Sequence, residues 1–324
     1  MESNIDWKNA KILVTGSGGF LGSNMVELLK AKGCTFPGNL LLPRQKSYDL
    51  TNEMVVRNLF EVHRPEYVIH LAGLVGGILP NKYRPAEFFL TNLMVGTLVM
   101  HYAWMFGAKK FVAAGAGCGY PEFASIPLKE ASFWEGMPQK ESAPYSLAKR
   151  LLSIQAKAYY DQYNFPAIIC IPGNIYGPCD NFNLLDAHLV PALVRKFVEA
   201  VDSDAASVEV WGTGTPTRDF VYASDVVEGM LKALEVYNTN QVVNISSGEE
   251  TSVKDIVGHL AKITGFKGDI RWNLLRPDGQ ARRCFDITKC KEDLNFAPQM
   301  SIIEGLQKTV DWYRANQYKE TTRK

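Results

Sequence analysis

Residues 10–23 read AKILVTGSGGFLGS. An apolar run, Ile12 to Val14, stops at a cluster of glycines, and FLGSNMVELLKAKG then follows with helical spacing. Gly16, Gly19 and Gly22 form a G-x-x-G-x-x-G pattern. Such a turn lets Gly16 bend sharply, lets a pyrophosphate approach the backbone at Gly19, and lets the helix pack on the strand at Gly22. The amides at the helix start supply donors and the positive end of the helix dipole. Strand, glycine turn and helix arrive in the order that a dinucleotide site requires.

Working outward, the same rhythm repeats. NLLL, EYVIHLAG, KKFVAAG, AIICIPG and QVVNI read as strands, with helical patterns TNEMVVRNLFEVH, FFLTNLMVGTLVMHYAWMFG and YSLAKRLLSIQAKAYYDQYN between them. Alternating apolar strands and helices specify an α/β fold with a doubly wound parallel sheet, and ligands belong at the strands' C-terminal ends. After Gly173 the rhythm breaks. NIYGPCDNFNLLDAHLVPALVRKF reads as loop and then helix, VEVWGTGTPTRDFVY as a short strand that turns and returns, GDIRW as a strand, and Ile302–Tyr313 as a last helix. The expected division is a dinucleotide-binding domain, 1–173 plus 219–246, and a smaller C-terminal substrate lobe, 174–218 plus 247–324. KETTRK at the end reads as disordered.

The chain has 324 residues and a formal charge of +1, which disfavours a nucleic-acid or membrane-surface partner. No apolar run approaches the ~20 residues of a membrane span, and the N-terminus lacks the pattern of a signal peptide. The six cysteines form no CxxC pair and the five histidines are scattered, so neither a disulfide framework nor a metal centre is expected. A reducing, cytoplasmic setting fits. The second strand ends in LLLPRQKSYDL, where Arg44 and Lys46 precede Asp49. Basic residues there suit the ribose phosphate of NADP, while an acidic residue would suit NAD, which stays as the alternative.

Tyr145 and Lys149 are one helical turn apart and share a face. A lysine ammonium beside a phenol is expected to lower its pKa, so that the tyrosine trades a proton with a sugar oxygen while hydride moves. With the glycine loop, this pair resembles the extended short-chain dehydrogenase/reductase family, the NAD-dependent epimerase/dehydratases. HLAGLVGGI, CGYP, PYSLAK, PGNIYGPCDNF, AHLVPAL, VWGTGTPTRDF and RPDG extend the resemblance nearly end to end, and within the family they look most like the GDP-L-fucose synthases. GDP-mannose 3,5-epimerases share YPEF and IYGP but lack the histidine of AHLVPAL.

The resemblance implies a nucleotide-diphosphate sugar substrate and an NADP-dependent 3,5-epimerase/4-reductase acting on GDP-4-keto-6-deoxy-mannose. It implies Cys118 as base and His188 as acid beside Tyr145 and Lys149. The dinucleotide would meet Gly16, Gly19, Phe20, Leu21, Gly22, Arg44, Asp49, Leu50, Leu71, Ala72, Lys149, Pro172, Asn174, Ile175 and His188. The sugar nucleotide would meet Asn174, Lys196, Trp211, Arg218 and Asp278. The family's serine two residues before the cysteine is Ala116 here, followed by Gly117. A lost donor of that kind commonly slows the reaction 10²–10³-fold, so a variant 4-keto sugar is open, and the small residues suggest extra room. An NAD-dependent epimerase or C4 dehydrogenase, and a non-catalytic dinucleotide-binding protein, are the competing readings. Family members pair through two helices each, which implies a homodimer.

Overall fold

The computed structural model describes residues 5–276 and 278–320. In chain order the strands are β1 Ile12–Thr15, β2 Leu40–Leu41, β3 Tyr67–His70, β4 Lys110–Ala114, β5 Ala167–Pro172, β6 Asn174–Tyr176, β7 Ser207–Trp211, β8 Thr217–Tyr222, β9 Val242–Ile245, β10 Glu250–Ser252, β11 Asp269–Asn273 and β12 Arg282–Arg283. The helices are α1 Phe20–Ala31, α2 Glu53–His63, α3 Ile78–Tyr83, α4 Pro85–Met105, α5 Ala143–Tyr163, α6 Leu189–Asp202, α7 Ala223–Val236, α8 Val253–Thr264, α9 Thr288–Asp293 and α10 Ile302–Glu320.

Six strands form one parallel sheet in the order β2-β1-β3-β4-β5-β9. Its strands are predominantly apolar because both faces are covered, with Thr15, His70, Lys110 and Asn244 the buried polar exceptions among the described residues. Alternate residues serve opposite layers: Ile12 and Val14 join α1 and α7 on one side, and Leu13 joins α2, α4 and α5 on the other. This is the doubly wound α/β fold that the sequence specifies. A separate core holds Phe182, Val194, Phe197, Val210, Ile256, Leu260, Leu306 and Val310, drawn from the segments after β5. Ile287, Cys290 and Leu294, though late in the chain, return to the sheet's own core.

Several expectations change. Residues 207–222 do not form a hairpin. β7 pairs with β11, whereas β8 pairs with β6, β10 and β12. Gly212 and Gly214, both at φ +78, turn the chain from one sheet to the other instead of reversing it within one. β6 is a strand where a loop was expected. The last helix continues past Tyr313 to Glu320, so Lys319 and Glu320 are helical, and the remaining residues of KETTRK lie outside the described residues. α4 is long and apolar enough, at 21 residues and hydropathy 1.2, to cross a membrane by length and composition, with 44% of that window buried. Its buried face packs on α2 and α5 and carries Phe88, Val95, Val99 and Met100.

Asp219 in β8 joins the two halves. Its carboxylate accepts from Ser246 Oγ (2.5 Å), Ser247 N (3.0 Å), Ser247 Oγ (2.6 Å), Gly248 N (3.2 Å) and Phe285 N (3.1 Å). Ser246 to Gly248 follow the main sheet's edge strand, and Phe285 follows β12. Asp219→Ala leaves these buried donors unmatched, and the expected loss is on the order of 3 kcal/mol. Urea denaturation checks it: the midpoint should fall with the slope unchanged.

Candidate active site

The glycine loop is closed by contacts that tolerate no side chain. Gly16 has φ +70, and a Cβ there would lie 2.6 Å from the Ala72 amide nitrogen. A Cβ at Gly22 would lie 2.0 Å from the Gly16 carbonyl oxygen. Thr15 Oγ1 accepts from Leu71 N and Ala72 N, so its hydroxyl hydrogen goes to Nδ1 of His70 at 2.8 Å. Burial, with Lys149 adding to it, pushes the His70 pKa down to about 3, and the ring is a fixed neutral acceptor. The chain after β3 is thereby pinned against the loop.

Gly19 caps α1 without a side chain, which leaves the first amides of the helix open. A Cβ at Gly18 would lie 2.1 Å from Arg44 Nη1, so the Arg44 guanidinium reaches across the loop. Ser17 Oγ is buried and makes no hydrogen bond among the described residues. A cavity of about 720 Å³ opens beside it, with Ser17, Leu42, Arg44 and Pro178 among its walls. Open amides, an orphaned hydroxyl and a guanidinium fit a phosphorylated dinucleotide. Asp49 has its Oδ1 engaged by Thr51 N and Thr51 Oγ1, and Leu50 packs into the core under α2 and α4. Phe20 and Leu21 open α1, and Leu21 packs on the sheet's core. Pro172 ends β5, and Ile175 lies in β6 beside the same core.

At the C-terminal end of β4, residues 117–119 form a single 3-10 turn with Cys118 at its centre. Tyr145 and Lys149 sit in the first turns of α5, which has Pro144 as its second residue. Lys149 Nζ donates to the Ala114 carbonyl at 2.9 Å. Burial pushes Lys149 down to about 8, with Cys118 pulling the other way. The expectation for Tyr145 is reversed: its phenol pKa is raised, first by burial and then by Cys118. The tyrosine ring is 9% exposed and lies edge-on to Phe88, with centroids 6.2 Å apart. Cys118 and Leu74 pack on the small cluster of Phe88, Ala116 and Tyr145.

His188 is the residue before α6, in an extended conformation. Its surface is open, yet the walls around it withdraw enough water to lower its pKa, with Asp186 opposing. Segment 73–77 runs from Lys149 toward the turn that precedes His188: a Cβ at Gly73 would lie 3.7 Å from Lys149 Nζ, and one at Gly77 would lie 3.6 Å from the Asp186 carbonyl. Ala116 supplies no hydroxyl. Gly117 does not widen the site as expected, because a Cβ there would lie 2.7 Å from Phe285 Cζ; the phenyl ring fills that space.

On the substrate side, Arg218 in β8 is pushed down to about 10 by burial and by Arg283. β8 and β12 pair in register at these two arginines. Arg283 was not found in the sequence, although RRCF alternates as a strand does: exposed Arg282 binds Glu250, while Arg283 is screened from water and feels Cys118. Asn174 Nδ2 donates to the Asp219 carbonyl. Lys196 Nζ donates to the Glu209 carbonyl at 2.9 Å and lies 5.6 Å from the Trp211 ring centroid. Asp278 accepts from Thr213 N and Thr213 Oγ1, holding the turn after Trp211.

The model of the NAD dependent epimerase/dehydratase family matches residues 12–246. GDP-L-fucose synthase 1 of Arabidopsis thaliana is 37% identical over 314 residues, covering 97% of this chain and 96% of that relative. A GDP-L-fucose synthetase structure from Naegleria fowleri superposes with a TM-score of 0.89 at 26% identity, covering 99% of this chain and 96% of that one. The GDP-mannoheptose C4 reductase MlghC from Campylobacter jejuni, solved with NADP bound, gives 0.85 at 28% identity, covering 95% and 99%.

Proposed function

The chain belongs to the NAD-dependent epimerase/dehydratase family, and we propose that it is an NADP-dependent GDP-4-keto-6-deoxy-mannose 3,5-epimerase/4-reductase, the activity of the GDP-L-fucose synthases it resembles. The observation that carries this reading is the packing of half-buried Cys118 against the buried Tyr145 cluster, with buried Lys149 one helical turn on and held by the Ala114 carbonyl. NADPH, when bound, supplies the hydride for C4. The open amides of α1 suit its diphosphate, and Ser17 and Arg44 suit its ribose phosphate.

Cys118 takes the proton from C3 or C5, which the C4 ketone acidifies, and the electron pair moves to the enolate oxygen. His188 returns a proton from the other face. Tyr145 then delivers its proton to O4 as the ketone is reduced; a raised phenol pKa keeps that proton in place until negative charge develops on the sugar oxygen. Lys149 holds its charge beside the phenol and can bind a ribose hydroxyl. Arg218 grips the diphosphate. In this reading 174–218 plus 247–324 supply the substrate lobe over the sheet's C-terminal edge, although Ile287, Cys290 and Leu294 of that stretch pack in the sheet's core. The exposed Leu90 and Met105 of α4 and Leu151 and Ile154 of α5 suit pairing with a second copy, as a homodimer. The cysteines described are free thiols, which suits a reducing, cytoplasmic location.

The direct test incubates the protein with GDP-4-keto-6-deoxy-mannose and NADPH in D₂O. NADPH consumption with deuterium at C3 and C5 is the expected result. Cys118→Ser and His188→Asn should each lower deuterium incorporation about 100-fold or more; incorporation at the wild-type rate in both would refute their roles. Ala116→Ser restores the absent donor and should raise the rate of reduction at least about tenfold. An unchanged rate would show that another group already polarises the ketone. Lys149 loses its proton as pH rises through about 8. The charged form is the working one, so kcat/KM should fall by about tenfold per pH unit above that value, measured as the initial rate of NADPH loss across a buffer series.

A further inference from the structure

At the far end of the substrate lobe, Trp211 closes β7 with its indole 49% exposed. β7 and β11 run parallel with Trp211 opposite Asn273, and Gly212 N donates to the Asn273 carbonyl at 3.0 Å. The chain then turns tightly. Arg276 N donates to the same carbonyl and Leu275 N to Asn273 Oδ1. That turn carries Arg276 back over the indole, its Cζ 4.7 Å from the ring centroid. Neighbouring polar groups at this end are already engaged: Lys196 with the Glu209 carbonyl, Arg218 with the Thr217 carbonyl, Asp278 with Thr213. The Arg276 guanidinium makes no ion pair among the described residues, and its fork of donors rests on an aromatic face.

We propose that Arg276 reads the nucleobase, forking onto O6 and N7 of a guanine that takes the guanidinium's place on the Trp211 indole. The inference rests on the sugar-nucleotide reading above and specifies how its base is chosen. A guanidinium offers two parallel N–H groups that match two adjacent acceptors, and guanine carries that pair at O6 and N7. Adenine presents an N6 donor in place of O6, which meets the fork donor to donor. Uracil has no N7. The indole face serves any base, so Trp211 provides affinity and Arg276 provides choice. In the free protein the cation–π contact keeps the guanidinium beside the face the base will occupy.

Isothermal titration of the full chain with GDP, IDP, ADP and UDP tests this. IDP keeps O6 and N7 and lacks only the exocyclic amine. Wild type should bind GDP and IDP more tightly than ADP. Arg276→Ala should weaken GDP and IDP by roughly 5- to 150-fold, the span of one bidentate arginine–guanine contact, and leave ADP unchanged. Arg276→Lys, a point charge without the fork, should keep only part of the preference. Turnover by Arg276→Ala should show a raised KM with kcat retained. A GDP-to-ADP ratio that is the same in wild type and Arg276→Ala overturns the inference and leaves the epimerase/reductase reading intact. A wild type that binds GDP no better than ADP or UDP sinks the guanine-nucleotide reading itself.

Discussion

One buried carboxylate holds the sheet and the substrate lobe in register. Asp219 lies in β8, outside the main sheet, yet its acceptors are filled by the backbone and hydroxyls of 246–248, directly after the sheet's edge strand β9. A further donor comes from Phe285, after β12. Burial raises the Asp219 pKa and the donors oppose that rise, so the carboxyl is held by geometry instead of by a counter-charge. The consequence is positional. Its neighbour in β8 is Arg218, the residue opposite Arg218 is Arg283, and Phe285 presses on Gly117 beside Cys118. Arg218 and the turn that carries Cys118 are therefore set by the same tie.

Charge at the catalytic end is governed by removal of water. Lys149 falls toward neutrality while Tyr145 becomes a weaker acid, and burial is the larger cause in both. A phenol beside an ammonium in water would show the reverse, because the Coulomb attraction would act without a desolvation penalty. The Ala114 carbonyl takes one donor of Lys149 and Phe88 covers the Tyr145 ring, so neither group relaxes toward solvent. The site is built to keep the tyrosine proton until negative charge arrives on a substrate oxygen. A retained phenol proton suits the proton delivery to O4 proposed above better than proton removal.

The sheet was legible because its signals are local. Gly16 takes its positive φ within the turn itself and Gly22 meets Gly16 and Ser17 a few residues away, and the sheet's strands are short apolar runs separated by helices. The lobe was less legible because its pairings are distant. β6 follows β5 after one residue, so Asn174–Tyr176 looked like the start of a loop; only Phe220 to Tyr222, more than forty positions on, make it a strand. The turn at Gly212 reads as a hairpin until β11 claims β7. Among site residues, Tyr145, Lys149 and Cys118 were recognisable by spacing and resemblance. Arg283 opposite Arg218 and Arg276 over Trp211 were not, since a basic residue in a polar segment looks like solvated charge until the fold shows what it packs against.

The alanine at position 116 acquires a different meaning in three dimensions. A missing hydroxyl in a wide site would be replaced by water, and the loss of ketone polarisation would be small. Here Phe88 and Tyr145 close around Ala116, and Phe285 fills the space beside Gly117. A site closed by aromatic rings raises the strength of each remaining electrostatic contact, because little solvent screens it. The buried Tyr145 hydroxyl beside Ala116 then stands as a group with a proton to give, and under the proposed reaction ketone activation falls on it. Under the proposed reaction, reduction depends on how well the sugar ring is seated against Tyr145, so contacts at the reacting ring, more than those to the nucleobase, set the rate at C4.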